Sequence, residues 1–259
     1  MKKRYPSDLT DAQWRLIEPL LPPELPGGRD RTTDLREVTN ALLYMSKTGC
    51  QWRMLPKEFP PRSTVFGYST QWKQEGIHDE ILATLREQIR EKAGRNKTPT
   101  AGIIDSQTAK SIGSDYDIGY DGGKKIKGRK RHIVVDILGL LLGVSVTSAD
   151  VQDREGSKSL IKATKTRFPT LEIIFADGGY TGEKLSSWFK KTVNLVLKII
   201  KRPRKKFQVV KFRWIVERTF GWINHHRRLS KDYEYLPASS EAWVKIASWN
   251  MMLKRLSPG

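Results

Sequence analysis

Three carboxylates sit where they could meet in a folded chain. Asp105 follows the apolar residues of "GIID" and Asp177 those of "IIFAD", and each leads into a small polar turn. Glu217 stands in "FRWIVERTFGW" and is the one acid between Lys201 and Lys231, a stretch with eleven Lys or Arg. In open α/β sheets ligands are met at strand ends, so two acids there can converge. Gly178-Gly179 lets the backbone turn sharply after Asp177 and leaves its carboxylate uncovered. On an ideal helix Phe212, Val216, Thr219, Phe220 and Ile223 form the stripe facing the core, with Glu217 beside it. Arg213, Asn224 and Arg228 line the same side as Glu217.

Taken singly, each Asp reads as a turn cap. Glu217 alone reads as charge balance with Arg213 or Arg218, worth roughly a few tenths of a kcal/mol. Three hard carboxylates together suit one or two Mg²⁺ or Mn²⁺ ions, which prefer oxygen ligands. Two such ions can activate a water or a 3′-hydroxyl and stabilise the leaving oxygen of an in-line displacement at phosphorus. The basic surroundings of Glu217 would then hold a phosphate backbone. Zinc fits poorly, because His78 and His132 are isolated and His225-His226 point to different helix faces. His225 and His226 are expected to meet phosphate or solvent.

The elements that must position these acids fall into two groups. The first ~95 residues read as helices. Thr10-x-x-Gln13 is a capping box, and Asp34-x-x-Glu37 opens a second helix that ends at Gly49. "RSTVFGYSTQWKQEG" reads as a third helix capped by Ser63, and a fourth runs from about Ile77 to Lys92. Compact helices with tight turns suggest a helix-turn-helix, with Arg62, Ser63, Thr64, Tyr68, Gln71 and Lys73 as DNA contacts. After the linker "GRNKTPT" (94–100) the order reads β-β-β-α-β-α-β-α: a strand ending at Asp105, a hairpin turning at Gly139, and a helix capped by Asp153. A strand ending at Asp177, a further helix and strand, and a long helix over 210–229 complete it.

The formal net charge of +19 over 259 residues argues for a polyanionic partner, nucleic acid first. Lys124, Lys125, Lys127, Arg129, Lys130 and Arg131 read either as a solvated hairpin or as a second rail for DNA. Trp214 or Trp222 could stack on an unpaired base. No apolar run approaches a membrane span. A single cysteine, Cys50, excludes an internal disulfide and reads as a packing residue, and with no export signal the cytoplasm is the expected compartment.

Asp105, Asp177 and Glu217, in that order, resemble the DDE triad of the ribonuclease H-like transposases and integrases. "IIDSQ", "FADGGYTG" and "RWIVERTFGWINHHRRLSKDYE" are similar to bacterial insertion-sequence transposases, and the similarity covers most of the chain. It implies a ribonuclease H-like mixed sheet flanked by helices (96–259), preceded by an all-α, helix-turn-helix-like DNA-binding domain (1–95). It implies that Asp105, Asp177 and Glu217 are the catalytic residues and hold two Mg²⁺ or Mn²⁺. The reaction implied is cleavage of double-stranded DNA at the element's terminal repeats, then attack of the freed 3′-hydroxyl on target DNA, within a homodimer or larger synaptic assembly. Of the wider signature Tyr-x2-Arg-x3-Glu-x6-Lys, Arg213 and Glu217 match, while Val210 and Asn224 replace the tyrosine and the lysine. Arg227 and Arg228, about one turn on, are expected to supply the missing phosphate contact, with Arg213 and Arg218 beside them. The rival readings are a nuclease that cuts without joining and a DNA-binding regulator without catalysis.

Overall fold

The computed structural model describes residues 4–24, 27, 30–112, 116–200 and 212–258. Helix α1 (Asp11–Ile17) opens with the expected capping box: Thr10 Oγ1 accepts from Gln13 N, and Gln13 Oε1 accepts from Thr10 N. In α2 (Leu35–Thr48) the Asp34 carboxylate accepts from the backbone N–H of Arg36 and Glu37. Gly49 closes α2 at φ 71°, and a Cβ there would meet the Arg227 backbone at 3.2 Å. Helix α3 (Arg62–Gln74) is preceded by Pro61 rather than capped by Ser63, and it makes no side-chain cap. The connection from α2 to α3 runs over residues 49–61, longer than the tight turn expected there. Helix α4 (Ile77–Lys92) then leads to the sheet.

Six strands form one mixed sheet: β1 (Ala101–Lys110), β2 (Gly119–Asp121), β3 (Ile126–Asp136), β4 (Leu141–Ser148), β5 (Ile173–Ala176) and β6 (Val196–Ile199). Their order is β2-β3-β1-β5-β6, with β4 also paired to β3. β3 is antiparallel to β1 and β4, whereas β1, β5 and β6 are parallel. The parallel pairs are joined by crossovers carrying α5 (Asp153–Arg167) and α6 (Glu183–Val193). The expected hairpin turns at Gly139, φ 80°. This is the expected mixed sheet flanked by helices. Strand alternation divides the apolar residues between two layers. Ile103, Ile133 and Val135 pack with the helices of the N-terminal part, while Ile104, Val134 and Ile174 pack with α5 and α6.

Three further expectations are corrected, and one helix is added. β1 does not end at Asp105: its parallel pairing to β5 stops at Ile103, but antiparallel pairing to β3 continues to Lys110. Asp153 is not the cap of α5; Gln152 precedes the helix and Asp153 is its first residue. The long helix over 210–229 is α7 (Arg213–Asn224), followed by a separate 3-10 turn at Arg227–Leu229; residues 201–211 lie outside those described. The chain leaves the helix there because His226 turns inward, its Nδ1 2.7 Å from Ser46 Oγ on α2. Finally, α8 (Pro237–Leu256) was not anticipated. It buries Trp243, Val244, Ile246, Ala247 and Trp249 against α4, β4 and the rest of the shared core. Among the described residues no helix is long and apolar enough to cross a membrane.

One buried ion pair ties α4 to the end of β3. Asp136 is fully buried; its Oδ1 accepts from the N–H of Leu138 and Leu140 at 2.9 Å, and its Oδ2 pairs with Arg90. Removing one partner would strand a buried guanidinium and open the hairpin turn. Asp136→Ala is therefore expected to cost about 3 kcal/mol, read from the midpoint of urea unfolding; a loss below about 1 kcal/mol would show that water replaces the carboxylate.

Candidate active site

The site is built by register. Ile103 on β1 pairs with Phe175 on β5 in parallel, so two residues further on Asp105 and Asp177 stand side by side on one face. That face carries Ile103 and Phe175 and is the one against which α7 packs. Phe212, just before α7, stacks on Phe175 with ring centroids 4.5 Å apart and fixes the start of the helix over the two strands. On α7 the residues Val216, Thr219, Phe220 and Ile223 are buried, as their spacing predicts; Ile215 is buried as well, Phe212 precedes the helix and is half-buried, and Glu217 faces outward beside them.

Arg213 lies between the acids. Its Nε donates to Glu217 Oε1 at 2.8 Å, and its Nη2 is 3.7 Å from Asp177 Oδ2. The Asp177 Oδ1 accepts from Gly179 N at 2.8 Å, a contact that the short turn Gly178–Tyr180 makes possible. Asp105 accepts from Ser106 N at 2.8 Å, yet its carboxyl is pushed up to about 6. Burial is the main cause; the Ser106 N–H and Arg213 work against it, and the charges of Asp177 and Glu217 add to it. Burial works against the charged form of Arg213, but Glu217, Asp177 and Asp105 outweigh it and hold the guanidinium above its ordinary value.

A cluster of like charges around one half-buried carboxylate favours an added cation, and an all-oxygen donor set fits a hard divalent ion. Among the described residues no three metal-ligating side chains form a closed group. Arg213 fills the space between Glu217 and Asp177.

Neighbouring residues were not found from the sequence. Asp153 accepts from Ser106 Oγ at 2.8 Å and pairs with Lys130 at 3.1 Å. Tyr180 is fully buried, with its hydroxyl beside the Ser106 side chain. Burial, followed by the charges of Asp105, Asp153 and Asp177, pushes its phenol well above the usual value. The "DGGY" spacing after Asp177 was the available signal for Tyr180; Asp153 gave none, because a helix-opening Asp is commonplace.

The structure sorts the expected DNA contacts. Arg62, Ser63 and Gln71 are exposed on α3, with Thr64 partly so. Tyr68 is half-buried against Trp72, and Lys73 reaches Ser239 Oγ at 3.3 Å. Lys127 and Arg227 are exposed. Arg218 is held between the rings of Trp214 and Trp222, 4.2 and 4.4 Å from their centroids, and both rings are partly exposed.

Arg129, Lys130, Arg131 and Arg228 do not form a rail or a phosphate contact in this structure, because all four are buried. Arg129 donates to the carbonyls of Tyr116, Glu234 and Tyr235 at 2.6–2.7 Å, and Arg131 to those of Leu229 and Lys231. Lys130 Nζ bonds Val151 O at 2.8 Å. Arg228 pairs with Glu234 at 2.7 Å over the ring of Trp243. His226 is likewise buried rather than facing phosphate. Arg129→Gln is accordingly expected to lower the melting temperature while leaving the salt dependence of DNA binding unchanged, since a buried donor releases no counterion. A shallower salt slope in that variant would put Arg129 back on the DNA.

Residues 96–251 match the family model of the transposase DDE domain, and residues 9–82 match a family model for transposases of the IS4/5 family. The chain belongs to the DDE transposases. It is 30% identical to a 16.2 kDa protein of insertion element IS402 from Burkholderia cepacia, over 43% of this chain and 78% of that one. It is 29% identical to the transposase assigned to IS402 from the same organism, over 48% of this chain and 64% of that one. Among solved structures it is similar to the Drosophila P element transposase strand transfer complex at 13% identity and a TM-score of 0.35, covering 74% of this chain and 45% of that one. This DDE transposase thus spans less than two thirds of some of the proteins it matches.

Proposed function

We propose that this transposase binds the ends of its own insertion element, cleaves the strands there and joins the freed 3′-hydroxyl to target DNA. The observation that supports the reading is Arg213 in contact with both Glu217 and Asp177, with Asp105 beside Asp177 on the same face of the sheet. Asp105, Asp177 and Glu217 would hold one or two Mg²⁺ or Mn²⁺, which supply charge neutralisation at phosphorus and activation of the attacking oxygen. Arg213 keeps Glu217 and Asp177 facing one another and contributes a positive charge where phosphate oxygens would come to lie. The turn at Gly178-Gly179 leaves the Asp177 side open to a strand of DNA. Water attacks the scissile phosphorus, the 3′ oxygen leaves and takes a proton, and the resulting 3′-hydroxyl is the nucleophile of the joining step.

In this reading residues 1–95 serve DNA binding, with Arg62, Ser63, Thr64 and Gln71 of α3 outermost, and residues 96–259 serve catalysis. The two share one apolar core through α4 and α8, so they would hold DNA as one body. Two such chains would bring two element ends together.

The test is incubation of a supercoiled plasmid carrying the terminal sequences that flank the chain's own gene, with Mg²⁺, Mn²⁺ or EDTA. Metal-dependent breaks at the termini, followed by joined products, are expected. Breaks without joined products would leave a nuclease, and binding without breaks would leave a regulator.

A further inference from the structure

A second site lies at the far end of α7 from the carboxylates. Tyr5 and Ser7, the last turn of α2 (Tyr44, Lys47, Thr48), Arg227 and Lys254 of α8 enclose a cavity of about 290 Å³. Three cations line it and no acid does. Lys47 is half-buried and Arg227 and Lys254 are exposed, and none of the three takes part in an ion pair among the described residues. Lys47 is partly sunk into the wall and pushed down to about 8, by burial first and then by the charge of Lys254. His226, behind it, is pushed down to about 3 by burial and then by Lys47, Lys254 and His225. Ser7 is among the lining residues, and its Oγ is shielded from solvent with no hydrogen-bond partner. Concentrated positive charge with an unsatisfied hydroxyl is a site lacking its anion.

We propose that this cavity grips a phosphate of the DNA backbone, with Lys47, Arg227 and Lys254 as its cations and the hydroxyl of Ser7 as a further donor. The assignment rests on the transposase reading above. Arg227 opens the 3-10 turn that follows the C-terminal end of α7, the helix that carries Glu217, so the cavity and the carboxylates are joined through one element. A grip there would help set which bond reaches Glu217, without touching the bases.

The experiment is equilibrium binding of a labelled duplex with the element's terminal sequence, by fluorescence anisotropy across a KCl series without divalent metal. Lys47→Gln/Lys254→Gln is compared with Lys162→Gln/Lys191→Gln, which removes the same charge from exposed positions on α5 and α6, across the sheet. Loss of the phosphate contact is expected to reduce the log–log salt slope by about 0.9 in the cavity variant and to leave it unchanged in the other. Arg227→Gln, which alters neither helix, is expected to reduce it in the same direction, by no more than about 0.9. Melting curves of all variants confirm folding. Equal slopes for the cavity and control variants would overturn the proposal. So would stabilisation of the wild type by inorganic phosphate that the cavity variant loses while its DNA slope stays intact, because the cavity would then serve a free anion. The plasmid assay is read separately: no breaks there, with the slope still reduced, would sink the transposase reading and leave the grip standing.

Discussion

Asp105→Asn is expected to yield a protein that survives heat better than the wild type near neutral pH without metal and that no longer cuts DNA. The Asp105 carboxyl, half-buried and facing Asp177 and Glu217, is pushed up to about 6, above the about 3.9 of an unfolded chain. A carboxyl with a raised value holds its proton more tightly when folded, so folding loses stability as pH climbs from about 4 to 6. Above that window the ionised group costs the folded state at most roughly 3 kcal/mol. Asparagine keeps an oxygen for the Ser106 N–H and removes the charge. In EDTA the variant should therefore melt above the wild type at about pH 8, and the gap should close toward about pH 4. Added Mg²⁺ should stabilise the wild type at the higher pH, by mass action on a folded-state site, and leave the variant unmoved. Cleavage should fall by at least about a thousandfold, or roughly 4 kcal/mol of barrier. Coincident melting curves at both pH values would mean that Asp105 carries no strain and would remove the case for a cation beside it.

The positions of Asp105 and Asp177 could be read from the chain because they depend on local rules. An apolar run reads as a strand, and two adjacent parallel strands with the same side-chain period bring their acids onto one face. Thr10, Asp34, Gly49 and Gly139 announced caps and turns for equally local reasons. The buried arginines were not legible. Arg129 and Arg131 have the composition of a DNA rail, and what buries them is a set of carbonyls around residues 116–117 and 229–235, up to 106 positions away. Charge patterning reports how many cations there are, not where the chain later supplies acceptors. The same non-locality hid α8, whose apolar positions have meaning only against α4 and β4, and the inward turn of Arg228 onto Trp243. It also hid the cavity of Lys47, Arg227 and Lys254, assembled from three remote segments.

Glu217→Gln separates two accounts of the one acid in a basic stretch. The structure contains the pair with Arg213 that charge balance calls for, at 2.8 Å between residues four apart on α7. An exposed pair of this kind contributes roughly 0.3–0.5 kcal/mol, too little to single out one carboxylate among so many cations. Glutamine keeps the length and the oxygen that accepts from Arg213, so the helix should fold unchanged, with a melting temperature within about 2 °C of the wild type. Removing one negative charge from a surface that must approach phosphate should leave affinity for DNA equal or slightly higher. If the carboxylate is there to hold a cation, metal-dependent cleavage falls by at least about a thousandfold, while binding persists. If it is there to balance Arg213, the variant cuts at the wild-type rate, and Asp105 and Asp177 are left as a strand residue and a turn residue beside an arginine. Rate and affinity measured on the same preparation decide between the two, because charge balance acts on stability and binding alone, whereas a metal ligand acts on the chemical step.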